Sequence, residues 1–116
     1  AGHHPHVSQG VEIYNGGLIF YSLGNCVFGG NHSPRETTAL AARVTFYLED
    51  GCLTRMESTL YPIRFTGKAS GNTFSPVLLD GTQAEAALNA VRQDTDFSIP
   101  AYATGEGAPL PVVQVQ

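Results

Sequence analysis

The chain has 116 residues and a net charge of −4, and only 14% of its residues are charged, well below the roughly 25% typical of globular domains. This length supports one domain with a modest core, and its 13 Gly and 7 Pro favour a turn-rich β architecture over a charged helical bundle. Six scattered basic residues argue against a nucleic-acid partner, and we expect neither a transmembrane segment nor a signal peptide in this chain.

The first predicted element is a β-hairpin over residues 11–23. Its centre is Asn15-Gly16, a dipeptide suited to a type I′ turn because both turn positions need a positive φ. The run after the turn is apolar on both faces, so we expect this strand to lie inside the structure. Residues 22–33 contain several Gly and Asn and predict a long loop, which is a common place for functional residues.

A second hairpin is predicted from Leu40–Leu48 and Cys52–Phe65. A three-residue loop with Gly51 in the left-handed conformation would gather the apolar residues on one face. Its cross-strand pairs would be Leu48 with Cys52, Phe46 with Thr54, and Val44 with Met56. The less favourable two-residue loop would set apolar residues against charged ones, Phe46 against Arg55 and Val44 against Glu57. Pro62 is expected to end the ladder or to mark an edge or a bulge.

One helix is predicted over about Gln83–Arg92. Thr82 and Glu85 have the spacing of a capping box, in which each side chain satisfies a backbone N–H of the first turn. The stripe that would face the core consists of Ala84, Ala87, Leu88 and Val91. We assign residues 1–98 to the domain and residues 99–116 to an extended Pro/Gly-rich tail, with an edge strand expected at Val112-Val113.

Cysteine usage allows one intrachain pair, Cys26 with Cys52, and contains no C-x-x-C motif. Two free, half-buried thiols are the preferred interpretation, because unpaired cysteines are commonly buried. A disulfide between them remains the open alternative.

Three of the four histidines lie in the segment Gly2-His3-His4-Pro5-His6. In an extended backbone His4 and His6 would project to one side, and Pro5 favours the extended region for the residue before it. Such a pair is half of a site for Zn²⁺, Mn²⁺ or Fe, because a catalytic metal usually takes at least three protein ligands. A frayed terminus or a tag remnant is the alternative interpretation.

Three segments occur in the order found in one protein family: Gly-His-His-Pro-His-Val at residues 2–7, Tyr-Ser-Leu-Gly-Asn at 21–25 and Phe-Gly-Gly-Asn at 28–31. They resemble the C-terminal part of bacterial capsule-synthesis proteins of the CapA type, also called poly-γ-glutamate biosynthesis proteins. The match is dense over residues 2–36 and looser through the second hairpin and the helix.

The resemblance implies a fold and a metal site. The family is similar to calcineurin-like metallophosphoesterases, so the chain would be the C-terminal portion of a β-sandwich flanked by helices, with two metal ions at the strand ends. By this similarity His4 and His6 are metal ligands, and His3 is the alternative to His4. Asn25 is expected near the same cleft. The metals implied are Mn, Zn or Fe.

The same resemblance implies that this chain is part of a longer protein. Related phosphoesterases carry Asp-x-His, Gly-Asp and Gly-Asn-His-Glu/Asp motifs before the histidine pair, and the chain has none of them upstream. Gly30-Asn31-His32 imitates one of them, but Ser33 follows where an acid is needed, so we interpret His32 as a loop residue. We therefore expect weak or no metal binding and no catalytic residues in this chain alone.

Two functions follow from the resemblance. The first is part of a metal-dependent hydrolase in capsule or poly-γ-glutamate production at the extracellular face of the bacterial cell envelope. The second is a non-catalytic scaffold or binding module that supports polymer synthesis or export. Intact upstream motifs would favour the enzyme, and degraded motifs the scaffold. The expected partners are an anionic polymer, other capsule-synthesis proteins, or a second copy bound through exposed sheet edges.

Overall fold

Two antiparallel sheets and one helix form the fold in the computed structural model, which describes residues 1–27, 32–33, 35–66 and 72–115. The strands are β1 (Val11–Tyr14), β2 (Gly17–Phe20), β3 (Thr38–Glu49), β4 (Cys52–Arg64), β5 (Val77–Leu78), β6 (Ala108–Pro109) and β7 (Val113–Gln114). Helix α1 (Gly81–Gln93) lies between β5 and β6. The predicted class, mostly β within α+β with two hairpins and one helix, is confirmed.

The first hairpin pairs β1 with β2 and forms a sheet of its own. Tyr14 pairs with Gly17, so the turn consists of Asn15 and Gly16, whose φ angles are 48° and 72°. These are the positive angles that a type I′ turn requires, and the prediction from the Asn-Gly dipeptide is confirmed. A bridge between Ser8 and Leu23 extends the pairing beyond the two strands.

The turn of the second hairpin has two residues and not the predicted three. Glu49 pairs with Cys52, and the loop between them consists of Asp50 and Gly51, with φ angles of 50° and 78°. Both angles are positive, as in the first hairpin, so the twist of this turn also matches the twist of the strands. The three-residue loop expected from the sequence is therefore wrong.

A β-bulge explains why the shorter turn is tolerated. The register shifts between Tyr47 and Leu48. Leu48 pairs with Leu53 and Tyr47 pairs with Arg55, so Thr54 has no residue opposite it on β3. Such an extra residue bends the strand and changes which side chains meet across the ladder. Phe46 consequently faces Met56 and avoids Arg55. The bulge removes the mismatch of apolar and charged residues that a regular two-residue hairpin would have produced.

Strand β4 is the centre of the larger sheet, with β3 along one side and β5, β6 and β7 along the other. The ladder continues through Pro62 to Arg64, so the expectation that Pro62 interrupts it is wrong. Pro62 pairs with Leu40, whose N–H turns away from β4 and donates to the carbonyl of Leu23 at 2.8 Å. The N–H that proline lacks is therefore not needed between β3 and β4.

Helix α1 packs through its predicted apolar stripe but begins differently from the prediction. The buried residues are Ala84, Ala87, Leu88 and Val91, as expected. The N-cap is Asp80, whose carboxylate accepts from the N–H of Gly81 at 2.7 Å, so the capping box of Thr82 and Glu85 is wrong. Glu85 instead accepts from Arg92 and from the backbone N–H of Tyr102. Within the described ranges, no helix is long and apolar enough to cross a membrane.

Residues 99–115 pack against the same core as the rest of the chain. Strands β6 and β7 pair with β4, and four side chains of this segment are buried: Ile99, Ala108, Leu110 and Val113. The guanidinium of Arg92 fastens the segment to α1 by donating to the carbonyls of Ile99 and Pro100, at 3.0 and 2.7 Å. The expected terminal strand lies one residue further on, at Val113–Gln114.

The core brings all these elements together. Leu60 of β4 and Leu88 and Val91 of α1 are fully buried, and Val11 and Phe20 of the first hairpin pack in the same cluster. The first hairpin is thus fixed to the larger sheet and the helix. Cys26 and Cys52 are free, which confirms that prediction, but both are exposed and the expected half-burial is wrong.

Candidate functional site

The histidine segment forms a tight turn and not the expected extended strand. The N–H of His6 donates to the carbonyl of His3 at 3.0 Å, which closes the chain over His4 and Pro5. His6 has a φ of 60°, in the left-handed region that non-glycine residues seldom adopt. The predicted alignment of His4 and His6 on one side of a strand is therefore wrong, because the chain reverses between them. Left-handed backbone of this kind persists only where surrounding contacts hold it.

Gly2 joins this turn to the first hairpin. Its N–H donates to the carbonyl of Phe20 at 2.8 Å, and its carbonyl accepts from the N–H of Leu23 at 2.9 Å. A Cβ at position 2 would lie 2.2 Å from the carbonyl oxygen of Tyr21, so only glycine permits this approach. The histidine turn thus starts from a backbone position that is fixed against the end of β2.

Two of the histidines are hydrogen-bonded to the segment that follows β2. Nδ1 of His3 lies 3.0 Å from the carbonyl oxygen of Gly24, and Nδ1 of His6 lies 2.6 Å from the amide oxygen of Asn25. The amide nitrogen of Asn25 also donates to the carbonyl of His6 at 3.3 Å. Because both oxygens can only accept, the Nδ1 atom of each ring carries a proton and is the donor.

The other two histidines, His4 and His32, have different surroundings. His4 lies at the corner of the turn and is exposed, as His3 and His6 are. His32 packs edge-on against Phe74, with ring centroids 5.8 Å apart, as an ordinary loop residue would. Among the described residues, no three His, Cys, Asp or Glu side chains are grouped so that they could hold a metal ion. The Phe-Gly-Gly-Asn segment at residues 28–31 lies outside the described residues.

A tyrosine–carboxylate pair lies next to this turn. The hydroxyl of Tyr21, at the end of β2, donates to the carboxylate of Glu12 on β1. This hydrogen bond, together with the negative charge of Glu12, raises the pKa of Tyr21 above its usual value. Tyr21 therefore remains a protonated hydrogen-bond donor at neutral pH, and the pair joins β1 to the strand that carries the Gly24–Asn25 segment.

The donor set fits part of a metal site. A metal-binding histidine usually donates its second ring N–H to a carbonyl or carboxylate oxygen, which fixes the ring and leaves the other nitrogen for the metal. His3 and His6 both have the first part of this arrangement, an Nδ1 atom hydrogen-bonded to a carbonyl or amide oxygen. Imidazole nitrogens suit Zn and Fe among the expected metals, and further ligands would have to complete the shell. The anchoring role of the Gly24 carbonyl was not predicted, although the Ser-Leu-Gly-Asn turn was a signal for it.

Comparison with known proteins gives three findings. Residues 1–30 match the family model described as bacterial capsule synthesis protein PGA_cap. Over 97 residues the chain is 34% identical to the PGA biosynthesis protein CapA of Bacillus subtilis (strain 168), covering 84% of this chain and 23% of that protein. Over 49 residues it is 47% identical to the capsule biosynthesis protein CapA of Bacillus anthracis, covering 42% of this chain and 11% of that protein.

These matches confirm the resemblance predicted from the sequence. The chain spans less than a quarter of the length of either curated relative. No solved structure shows a significant match. The matched family segment contains β1, β2 and the histidine turn, so the similarity includes the part of the chain in which the candidate site lies.

Proposed function

Since this chain is related to the CapA-type capsule-synthesis proteins over most of its length, we propose that it contributes two imidazole ligands to a divalent-metal site of the metallophosphoesterase type. The ligands are His3 and His6, each through Nε2. The metal is Mn, Zn or Fe, and the longer protein holds two such ions with ligands from outside this chain. The chain alone binds metal weakly and catalyses nothing, because two imidazoles do not complete a catalytic shell.

The observation that carries this proposal is the pair of Nδ1 hydrogen bonds from His3 and His6 to one short segment, Gly24–Asn25. Two rings held in the same tautomer by neighbouring acceptors are typical of metal ligation, where the outer partner orients the ring. The same observation favours His3 over His4 as the first ligand, because the exposed ring of His4 has no such orienting bond among those seen for the described residues.

The chemistry of the proposed site divides between the metal and the protein. A bound divalent metal supplies a Lewis acid and lowers the pKa of a coordinated water, which suits attack on phosphorus or a related centre. This chain's own residues orient the two rings: Gly24 fixes the tautomer of His3, and Asn25 fixes both the ring and the backbone of His6. Gly2 positions the whole turn against β2.

We extend the proposal to the setting of the protein. It functions in capsule or poly-γ-glutamate synthesis at the extracellular face of the bacterial cell envelope. Its partners are an anionic polymer or other capsule-synthesis proteins. The support is what the names of the two relatives state, PGA biosynthesis and capsule biosynthesis. A polymer of negative charge would bind this chain, whose net charge is −4, through a metal more readily than through the protein surface.

The test is calorimetric titration of the 116-residue chain with Mn²⁺ and Zn²⁺. All variants carry Cys26→Ser and Cys52→Ser, because exposed thiols bind Zn²⁺ by themselves. His3→Ala and His6→Ala are each expected to abolish binding, and Asn25→Ala to weaken it roughly tenfold to a hundredfold by releasing His6. His32→Ala is the matched control and should bind like the parent.

Two outcomes would overturn the proposal. Equal binding in the parent and in the His3→Ala/His6→Ala double variant would show that the turn contributes no ligands. No binding in either protein would contradict the weak binding proposed for this chain, and in both cases the scaffold interpretation would be preferred. Loss of binding in His4→Ala with retention in His3→Ala would reverse the choice between these two histidines.

A further inference from the structure

Among the described residues, the backbone edge of strand β3 that faces away from β4 is open over most of its length. Its even-numbered residues point their N–H and C=O groups away from β4, as shown by Leu40, whose N–H donates to Leu23 at 2.8 Å. Beyond Leu40, the same outward groups belong to Ala42, Val44, Phe46 and Leu48. Within the part of the chain that the structure describes, no second strand pairs with this edge. The edge is therefore a template for another strand.

The side chains along this edge are unusually apolar for an exposed strand. The stripe Leu40, Ala42, Val44, Phe46 and Leu48 runs along one face of β3, beginning in the core and ending in solvent. Phe46 is 57% exposed and Leu48 is 62% exposed. Natural edge strands are usually protected by lysine, proline or inward-pointing charges. Between Ala41 and Leu48 the only charged residue is Arg43, and the sequence contains no proline or lysine there.

We infer that the open edge of β3 binds the same edge of a second copy of this chain, in an antiparallel register centred on Phe46. This register aligns outward backbone groups with outward backbone groups, so that Phe46 bonds to its own counterpart and Val44 bonds to Leu48 of the second copy. The apolar stripes of the two chains then form one continuous face. This contact pairs the outward backbone groups of β3 with those of the second copy, and it covers the exposed ring of Phe46.

Charge complementarity selects this register among its neighbours. With the two-fold axis at Phe46, Arg43 lies directly opposite Glu49 of the second copy, and the symmetry creates this pair twice. Moving the axis to Thr45 would set Arg43 opposite Tyr47, and moving it to Tyr47 would set Arg43 opposite Gly51. Both alternatives keep the hydrogen bonds but lose the charge pairs. Opposite charges that face each other across strands stabilise pairing, and like charges destabilise it.

The first measurement is sedimentation equilibrium of the 116-residue chain over a range of concentrations, combined with amide hydrogen exchange. We expect a monomer–dimer equilibrium in which the amides of Val44, Phe46 and Leu48 gain protection as the concentration rises. The amides of Thr45 and Tyr47 face β4 and should not change. A monomer at all concentrations up to about 1 mM, a standard free energy weaker than about 4.1 kcal/mol, would overturn the inference.

The second measurement tests the register by charge reversal. Arg43→Glu and Glu49→Arg should each weaken dimerisation roughly fourfold to thirtyfold, because each places like charges opposite each other twice. The double variant should restore the parental affinity. Arg43 also lies over the ring of Tyr61, at 5.7 Å, and that contact is lost in both the Arg43→Glu single variant and the double variant. Restoration therefore isolates the contact between copies from any effect on folding.

A matched pair of lysine substitutions tests the surface itself. Phe46→Lys places two positive charges opposite each other on the axis and should abolish the dimer. Leu78→Lys changes a similarly exposed residue, 61% accessible, on β5 and should leave it intact. A dimer that resists Phe46→Lys or dissociates with Leu78→Lys would show that another surface is used, and a double charge variant that stays weak would refute this register.

Discussion

Gly10 marks the point at which the first hairpin contacts the end of helix α1, and replacing it with alanine should loosen that contact. A Cβ at position 10 would lie 1.9 Å from the carbonyl oxygen of Asp94, the C-cap of the helix. Gly10 does not have a positive φ, so the substitution acts through steric overlap and not through backbone strain. An ordinary contact begins at 3.4 Å, so the two segments must separate by about 1.5 Å.

The magnitude follows from what this movement breaks. The N–H of Val11 donates to Oγ1 of Thr95 at 3.0 Å, and the carbonyl of Gly10 accepts from Tyr21 at 3.2 Å. Each hydrogen bond contributes about 1 kcal/mol net, and inserting a methyl group into a packed site typically costs about 1–3 kcal/mol. Gly10→Ala should therefore lower the free energy of unfolding by roughly 3–5 kcal/mol.

Urea unfolding followed by circular dichroism and tyrosine fluorescence measures this change. The matched control is Gly51→Ala, where a Cβ meets nothing within 4 Å and only the positive φ of 78° disfavours alanine. That conformational effect is about 1–2 kcal/mol. The reasoning is refuted if Gly10→Ala destabilises the chain no more than Gly51→Ala does.

Two further predictions concern stability. The hydrogen bond from Arg92, and to a smaller extent that from the N–H of Tyr102, lowers the pKa of Glu85 below its usual 4.5. The ionised carboxylate therefore stabilises the fold fully above about pH 4.5, and this contribution to the free energy of unfolding is lost as the pH falls through the lowered pKa. Urea unfolding at several pH values should therefore show a weaker loss in acid for Glu85→Gln than for the parent, whereas Glu106→Gln should behave like the parent. Leu60→Ala should lower the free energy of unfolding by about 2–5 kcal/mol, because Leu60 is fully buried. Leu78→Ala, at an exposed position, should change it by less than about 0.5 kcal/mol, and equal effects would contradict the assignment of the core.

Sequence patterns predicted the elements better than their junctions. The Asn15-Gly16 turn depends on the conformation of two adjacent residues, and the apolar stripe of the helix depends on residue spacing. Both can be read from the sequence alone. The bulge at Thr54 could not be predicted in this way, because one extra residue in a strand does not change its composition in a recognisable manner. Glu85 had the spacing of a capping residue, but distant partners, Arg92 and Tyr102, bind its carboxylate.

The candidate site shows the same division. The resemblance drew attention to the histidine segment and to Asn25, and the structure places Asn25 in contact with His6. The extended backbone expected for the histidines was wrong, because Pro5 restricts its own φ and its predecessor but does not decide whether the chain turns. That decision depends on the contacts of Gly2 and His3 with residues about twenty positions away, which spacing alone does not reveal.

The position of β4 at the centre of its sheet has a consequence for synthesis on the ribosome. Strands β6 and β7, which cover the side of β4 away from β3, are encoded well after β4 itself. At about 5–20 residues per second, translation of the intervening segment takes several seconds. During that interval the nascent chain has a completed β3–β4 hairpin with an uncovered flank. Chaperones that bind extended apolar segments would therefore meet this protein at β4, before Val113 has left the exit tunnel.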